Sequence, residues 1–216
     1  ISKNQTEEGS GGSWGLGKTT FFGLGMGLVA YYSRTFEADE YISKLAAVFV
    51  EDEDNDPLVY KEDSRGISFF GKYRDGAEPP SERNETVPIT DEAYIKNFLK
   101  IFDNISPYEG EETGTTIIVP YVNFNSLLDE ITSMLDENGD YRQPVWASSV
   151  ESYLKIALQR WYFPRLANPN YQGSWLKACV NGDCISKEKM HPFFRLYQEL
   201  YNVSLDKTHS SEILND

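Results

Sequence analysis

The chain has 216 residues, 40% of them hydrophobic, with four Trp, 14 Tyr and 12 Phe, which is enough to bury one sizeable core or two small ones. Thirty-four acids against 20 bases give a formal charge of −14, which repels phosphate backbones at long range and argues against a broad nucleic-acid surface while leaving room for a local basic patch. No run approaches the roughly 18 consecutive apolar residues of a membrane helix, and the polar first residues make no signal peptide, so the sequence predicts a soluble, cytoplasmic protein without a membrane partner.

The first informative stretch is Gly9-Ser10-Gly11-Gly12-Ser13-Trp14-Gly15-Leu16-Gly17-Lys18-Thr19-Thr20. Glycines at this density let the backbone approach a ligand with its N–H groups outward, and a following helix aims a positive dipole at an anion there. Three readings are open. Gly12-x-x-x-x-Gly17-Lys18-Thr19 satisfies the P-loop pattern, which requires a buried strand in front of it; the preceding Ile1 to Glu8 are polar and acidic and predict none. Gly12-x-x-Gly15-x-Gly17 also fits a glycine lid passing into an apolar helix. The third reading is a flexible Gly/Ser linker.

In chain order, Lys18 to Gly27 predicts a short helix, whose glycines cost propensity unless they permit close packing. Leu28 to Arg34 predicts a strand, Lys44 to Val50 a second and Arg65 to Lys72 a third. The acidic run Glu51 to Asp56 and the acids from Glu109 to Glu112 read as solvated loops, and Asp75 to Pro88, with three prolines, as a surface loop. Thr90 is the expected cap of a helix over Asp91 to Phe102, with Tyr94, Ile95, Phe98, Leu99 and Phe102 on one face.

Glu112-Thr113-Gly114-Thr115-Thr116-Ile117-Ile118-Val119-Pro120-Tyr121 predicts a strongly apolar strand opened by a Gly-Thr pair; read alone, the glycine is equally a turn residue before a β-branched strand. Asn125 precedes an amphipathic helix carrying Leu127, Leu128, Ile131, Met134 and Leu135, and Ser148-x-x-Glu151 is a capping-box match before a helix ending ahead of Pro164. Arg142, Lys155, Arg160 and Arg165 in this part read as solvated or ion-paired.

Ser174 to Ile185 predicts a hairpin turned by Asn181-Gly182, with Cys179 opposite Cys184 in a non-hydrogen-bonded pair. That pairing permits a cross-strand disulfide, whereas a cytoplasmic setting favours two reduced thiols packed side by side. Pro192 opens a last helix, and the chain turns polar after Leu205. His191 and His209 stand 18 positions apart with no companions at zinc-ligand spacing, so no metal site is expected.

Taken together, Gly12-Ser13-Trp14-Gly15-Leu16-Gly17-Lys18-Thr19, the run Val29-Ala30-Tyr31-Tyr32-Ser33-Arg34-Thr35 and the later Gly114-Thr115 step resemble ATP-binding proteins of bacteria in the GHKL group. This group comprises the gyrase, heat-shock chaperone, histidine kinase and mismatch-repair ATPases, which share the Bergerat fold. The resemblance covers roughly residues 9 to 122. It implies an α/β two-layer sandwich with a mixed, largely antiparallel sheet and helices on one face. It also implies a glycine lid over residues 1–17, an ATP-binding core over 18–122, flanking helices and a hairpin over 123–205, and a polar tail over 206–216.

By the same resemblance Gly12, Gly15, Gly17, Lys18 and Thr19 would face the phosphates of ATP, and Gly114 and Thr115 the adenine. ATP and Mg2+ are the implied cofactors. Slow hydrolysis in the complete protein would drive lid closure or dimerisation, read by a homodimer mate or a protein partner. The family's magnesium-holding acid/Asn helix and its Asp-x-Gly-x-Gly turn precede the lid, and only 11 residues stand before Gly12. The chain is therefore read as the later part of a longer protein, inactive alone, with no general base to assign. The expectation of another class is a protein-interaction module, marked by an exposed apolar patch and no concave pocket beside Gly114 and Thr115.

Overall fold

The computed structural model describes residues 17–51, 66–74, 86–103, 105–124 and 148–205, with positions 127, 128, 138, 144 and 146 between them. Gly12, Gly15, the acids from Asp52 to Asp56, most of the expected helix after Asn125 and the tail from 206 lie outside these residues. The chain divides into two compact units, the described part of the first ending at Asn123 and that of the second starting at Phe124.

The first unit opens with helix α1 (Gly17–Gly23), followed by strands β1 (Leu28–Glu37) and β2 (Glu40–Glu51). These two strands pair antiparallel without a break, from Leu28 opposite Phe49 to Glu37 opposite Glu40. The two-residue turn between them holds Ala38 and Asp39 at φ of 50° and 66°. That is the left-handed region a tight hairpin demands, here without the usual Asn-Gly. Strands β3 (Gly66–Phe70) and β6 (Gly114–Ile118) complete a sheet of order β3-β2-β1-β6, in which every pairing is antiparallel. Two-residue strands β4 (Lys72–Tyr73) and β5 (Thr86–Val87) form a separate small ladder.

Period-two alternation sorts the sheet into two faces. Ala30, Tyr32, Leu45, Ala47 and Ile118 point to one face and are buried there with Ile95 and Leu99 of helix α2 (Glu92–Leu99). The helix is capped by Asp91, whose carboxylate accepts the Tyr94 N–H at 2.7 Å. The cap is thus one residue later than the Thr90 read from sequence, and aspartate adds a charge favourable to the helix dipole. On the other face Tyr31 is half-buried, and burial pushes its phenol pKa up. Ile67 and Phe69 of β3 are exposed. Glu51, first of the acidic run, is buried at 5% exposure rather than solvated, since β2 carries it into the sheet.

The second unit is built from helix α3 (Val150–Tyr162), a hairpin of β7 (Cys179–Val180) and β8 (Asp183–Cys184), and helix α4 (Pro192–Leu205). Ser149 caps α3 by accepting the Ser152 N–H at 3.2 Å, so the cap is Ser149 rather than the Ser148 of the expected capping box. The apolar core is small, with Leu166, Ile185 and Met190 at its centre. Buried amides add to it. Gln198 donates to the carbonyls of Phe163 (2.6 Å) and Leu166 (2.8 Å), and Asn168 donates to Pro164 O (2.7 Å) and to Asn202 Oδ1 (2.8 Å). Each buried polar group removed from such a network leaves its partners unpaired.

The hairpin has the expected register, Cys179 opposite Cys184 and Val180 opposite Asp183. Asn181 and Gly182 both sit at positive φ in the turn. Cys179 and Cys184 are disulfide-bonded, so the expected reduced thiols give way to the bond their cross-strand position permits. No described helix is long and apolar enough to cross a membrane.

Leu99 is fully buried between α2 and the sheet. Leu99→Ala is expected to destabilise the first unit by about 2–5 kcal/mol in denaturant unfolding, and Lys96→Ala, on the exposed side of the helix, by less than about 0.5 kcal/mol.

Candidate functional site

The predicted phosphate-facing residues Gly17, Lys18 and Thr19 form the first turn of α1. This helix contacts β1, the inner strand that follows it. Gly114 and Thr115 open β6 on the far side of β1, opposite Arg34 and Ser33. The fold thus brings the elements of both glycine motifs to the same strand across almost a hundred residues of sequence.

At Gly114 itself the helix-side face is already occupied. A Cβ there would stand 2.8 Å from Tyr108 Cζ and 2.9 Å from its hydroxyl oxygen. The Tyr108 ring stacks on buried Tyr32 at 5.3 Å, its N–H donates to Tyr32 Oη at 3.0 Å, and its hydroxyl meets Thr116 Oγ1 at 3.0 Å. Arg34 reaches across from β1 and donates to the carbonyls of Gly110 (2.8 Å) and Glu112 (2.9 Å), fastening the loop that carries Tyr108. Thr115 belongs to the other face and is exposed.

Space opens instead at the opposite end of β6. A groove of about 500 Å3 runs along the helix-side face where α2 ends, walled by Leu28, Phe49, Phe70, Phe102 and Ile118 among others. Met26, from the loop after α1, and Pro120 and Tyr121, after β6, close its ends. Among the described residues its wall is almost entirely apolar, Ser68 being the one hydroxyl-bearing aliphatic side chain in it. Gly114 and Thr115 are four and three residues, roughly 13 and 10 Å of strand, from Ile118 and do not line it.

The second unit holds a site that the sequence reading did not single out. Two adjoining cavities of about 470 and 390 Å3 share Trp146, Ile156 and His191. The larger is lined by Tyr153, Trp161, Phe193 and Phe194 with Arg160, and the smaller by Ser152, Lys155, Asp183 and Lys189. Lys155 was read as solvated or ion-paired, and it is ion-paired: its ammonium lies 2.6 Å from Asp183, which Lys189 also contacts at 2.5 Å. Most of the lining comes from one side of α3, and the sequence reading took that helix only as an apolar packing face; the partners that complete the walls, Asp183, Lys189, His191 and Phe193, lie about 30 residues further on. Among the described residues no group of three potential metal ligands gathers.

No protein-family model, no curated protein and no solved structure matches the chain.

The two ammonium groups beside Asp183 hold its carboxyl down to a pKa of about 2, first through their hydrogen bonds and then through their charge. A depressed carboxylate stabilises the fold above its unfolded pKa, and that contribution is lost as pH falls through the folded value. The tie of the hairpin to α3 is therefore intact at neutral pH and released between about pH 4 and pH 2. In a carboxyl NMR titration the Asp183 midpoint is expected near 2, rising towards the ordinary aspartate value in Lys155→Met/Lys189→Met. For Gly114→Ala, the displaced Tyr108 ring is expected to cost about 1–3 kcal/mol in chemical denaturation.

Proposed function

We propose that the chain belongs to an ATP-binding domain of the GHKL type, with the glycine run on the phosphates and the groove beside β6 taking the adenine ring. The observation that carries this reading is the shared wall of the groove. Met26 and Leu28, just after the glycine-run helix, and Ile118, Pro120 and Tyr121, at the end of the Gly-Thr strand, line one cavity. A largely apolar cleft of this size suits a planar ring, and amides at a following helix start suit its phosphates. The order of helix, three antiparallel strands and Gly-Thr strand supports the same reading. In this arrangement Gly114 and Thr115 support the strand that carries the ring contacts. The P-loop reading is not favoured, because β1 follows α1 and the pairings of the main sheet are antiparallel.

Hydrolysis calls for a magnesium-bound triphosphate and an oriented water. The chain's part in that chemistry, in this reading, is binding: Lys18 as the cation facing the terminal phosphate, and Thr19 beside the magnesium. ATP-driven closure of the lid would then be what a homodimer mate or protein partner reads.

A second reading, a protein-docking module, is favoured by one observation. Ile67, Phe69, Ile101 and Tyr121 are 65–82% exposed, and none of the three cavities walled by described residues includes Gly114 or Thr115.

Thermal melting with Mg·ATP at about tenfold its dissociation constant is expected to raise Tm by about 3–5 °C, from a binding stabilisation of about 1.4 kcal/mol. Lys18→Ala should abolish most of that shift. An equal shift in both chains would remove Lys18 from the site. Absence of any shift, together with a concentration-dependent dimer lost in Ile67→Asp, would replace the ATP reading with the docking one.

A further inference from the structure

We infer that the paired cavities of the second unit form a binding site for a nucleoside monophosphate, distinct from the groove of the first unit. Between residues 148 and 205 there are seven basic residues against four acidic, in a chain whose net charge is −14. The described part of this unit is thus locally basic, which favours an anion there.

The smaller cavity offers donors. Lys155 and Lys189 share a single carboxylate, Asp183, which is the one acid among the described residues of either wall, so the trio retains a net positive charge. Gln159 is buried and held at both ends of its amide, donating to Lys155 O at 2.9 Å and accepting the His191 N–H at 2.6 Å. That contact fixes the His191 backbone at the junction of the two cavities. His191 Nδ1 accepts from the Phe193 N–H at 3.3 Å, so the neutral imidazole carries its proton on Nε2 and offers that N–H to a ligand. Ammonium groups and an N–H donor are what a phosphate takes.

The larger cavity offers rings. Trp146, Trp161 and Phe193 are 44%, 72% and 53% exposed, more than large aromatic side chains ordinarily leave to water. They stand with Tyr153 and Phe194, and Arg160 lies over the Trp161 ring at 5.6 Å. Such a wall accepts a planar base by stacking, whichever base it is.

The adjacency of the two cavities points to the class of ligand. Because they share Trp146, Ile156 and His191, one molecule can place a ring in the larger and an anion in the smaller. A nucleotide carries base and phosphate on opposite sides of a sugar, which suits two adjoining cavities with Ser152 and His191 in the wall of the smaller. A single phosphate matches two lysines already sharing one carboxylate.

Calorimetric titration of the protein with uridine or guanosine 5′-monophosphate, the free nucleosides and inorganic phosphate tests the assignment. At least one monophosphate is expected to bind tenfold or more tightly than both of its pieces. Lys155→Met/Lys189→Met should reduce it to the affinity of the nucleoside, and Phe193→Ala should weaken monophosphate and nucleoside together. Lys187→Met, on the same loop but outside both cavities, should change nothing and controls for folding. Lys18→Ala should also leave this binding intact, which separates it from ATP binding by the first unit. Monophosphates that bind no better than their pieces, or unchanged binding in the double lysine variant of a protein that melts normally, would overturn the inference.

Discussion

The first unit depends on one contact, the stacking of Tyr108 on Tyr32. Tyr32 sits on an inner strand of the sheet and is wholly buried, and a buried phenol needs a partner for its hydroxyl. Here the partner is the backbone N–H of Tyr108, so the loop from Ile105 to Thr113 is held by a hydrogen bond as well as by the ring stack. Arg34 then takes two carbonyls of the same loop, and Gly114 leaves the room that the Tyr108 ring occupies. These constraints close one end of the helix-side face. The open end, at Leu28, Phe49 and Ile118, is where the groove lies.

This explains which parts of the fold were legible. The four strands of the main sheet and their order were readable, because β-branched and aromatic runs carry a period of two, whereas the two-residue strand β5 falls within the stretch Asp75 to Pro88 read as a loop. The β1–β2 turn was legible as a polar connection between Arg34 and Lys44 but not as a two-residue hairpin turn, since Ala38-Asp39 lacks the usual Asn-Gly and is held at positive φ by ten residue pairs of flanking ladder. The helix caps were displaced by one residue each, from Thr90 to Asp91 and from Ser148 to Ser149, because adjacent capping residues compete and backbone geometry decides. The Asn181-Gly182 hairpin was legible down to its register, and with it the opposition of the cysteines.

The candidate sites were legible in part. A Gly-Thr step before a strand identified the strand, but not which end of it borders a cavity. That depended on Tyr108, six residues upstream, whose role cannot be read without knowing that it meets Tyr32. In the second unit the cavity walls come from three elements joined by Gln159 and by Asp183, two side chains that look unremarkable in sequence. Its small core leaves hydrogen bonds, ion pairs and a disulfide to fix geometry, and those groups, unlike a periodic apolar stripe, leave no pattern along the chain.

The central claim, that the groove between the loop after α1 and the end of β6 takes the adenine of ATP, is tested most directly by photolabelling with 8-azido-ATP and peptide mapping. The account predicts label, displaced by unmodified ATP, on peptides containing Met26 to Ala30 or Ile118 to Tyr121. Label confined to residues 148–205, or none that ATP displaces, would contradict it.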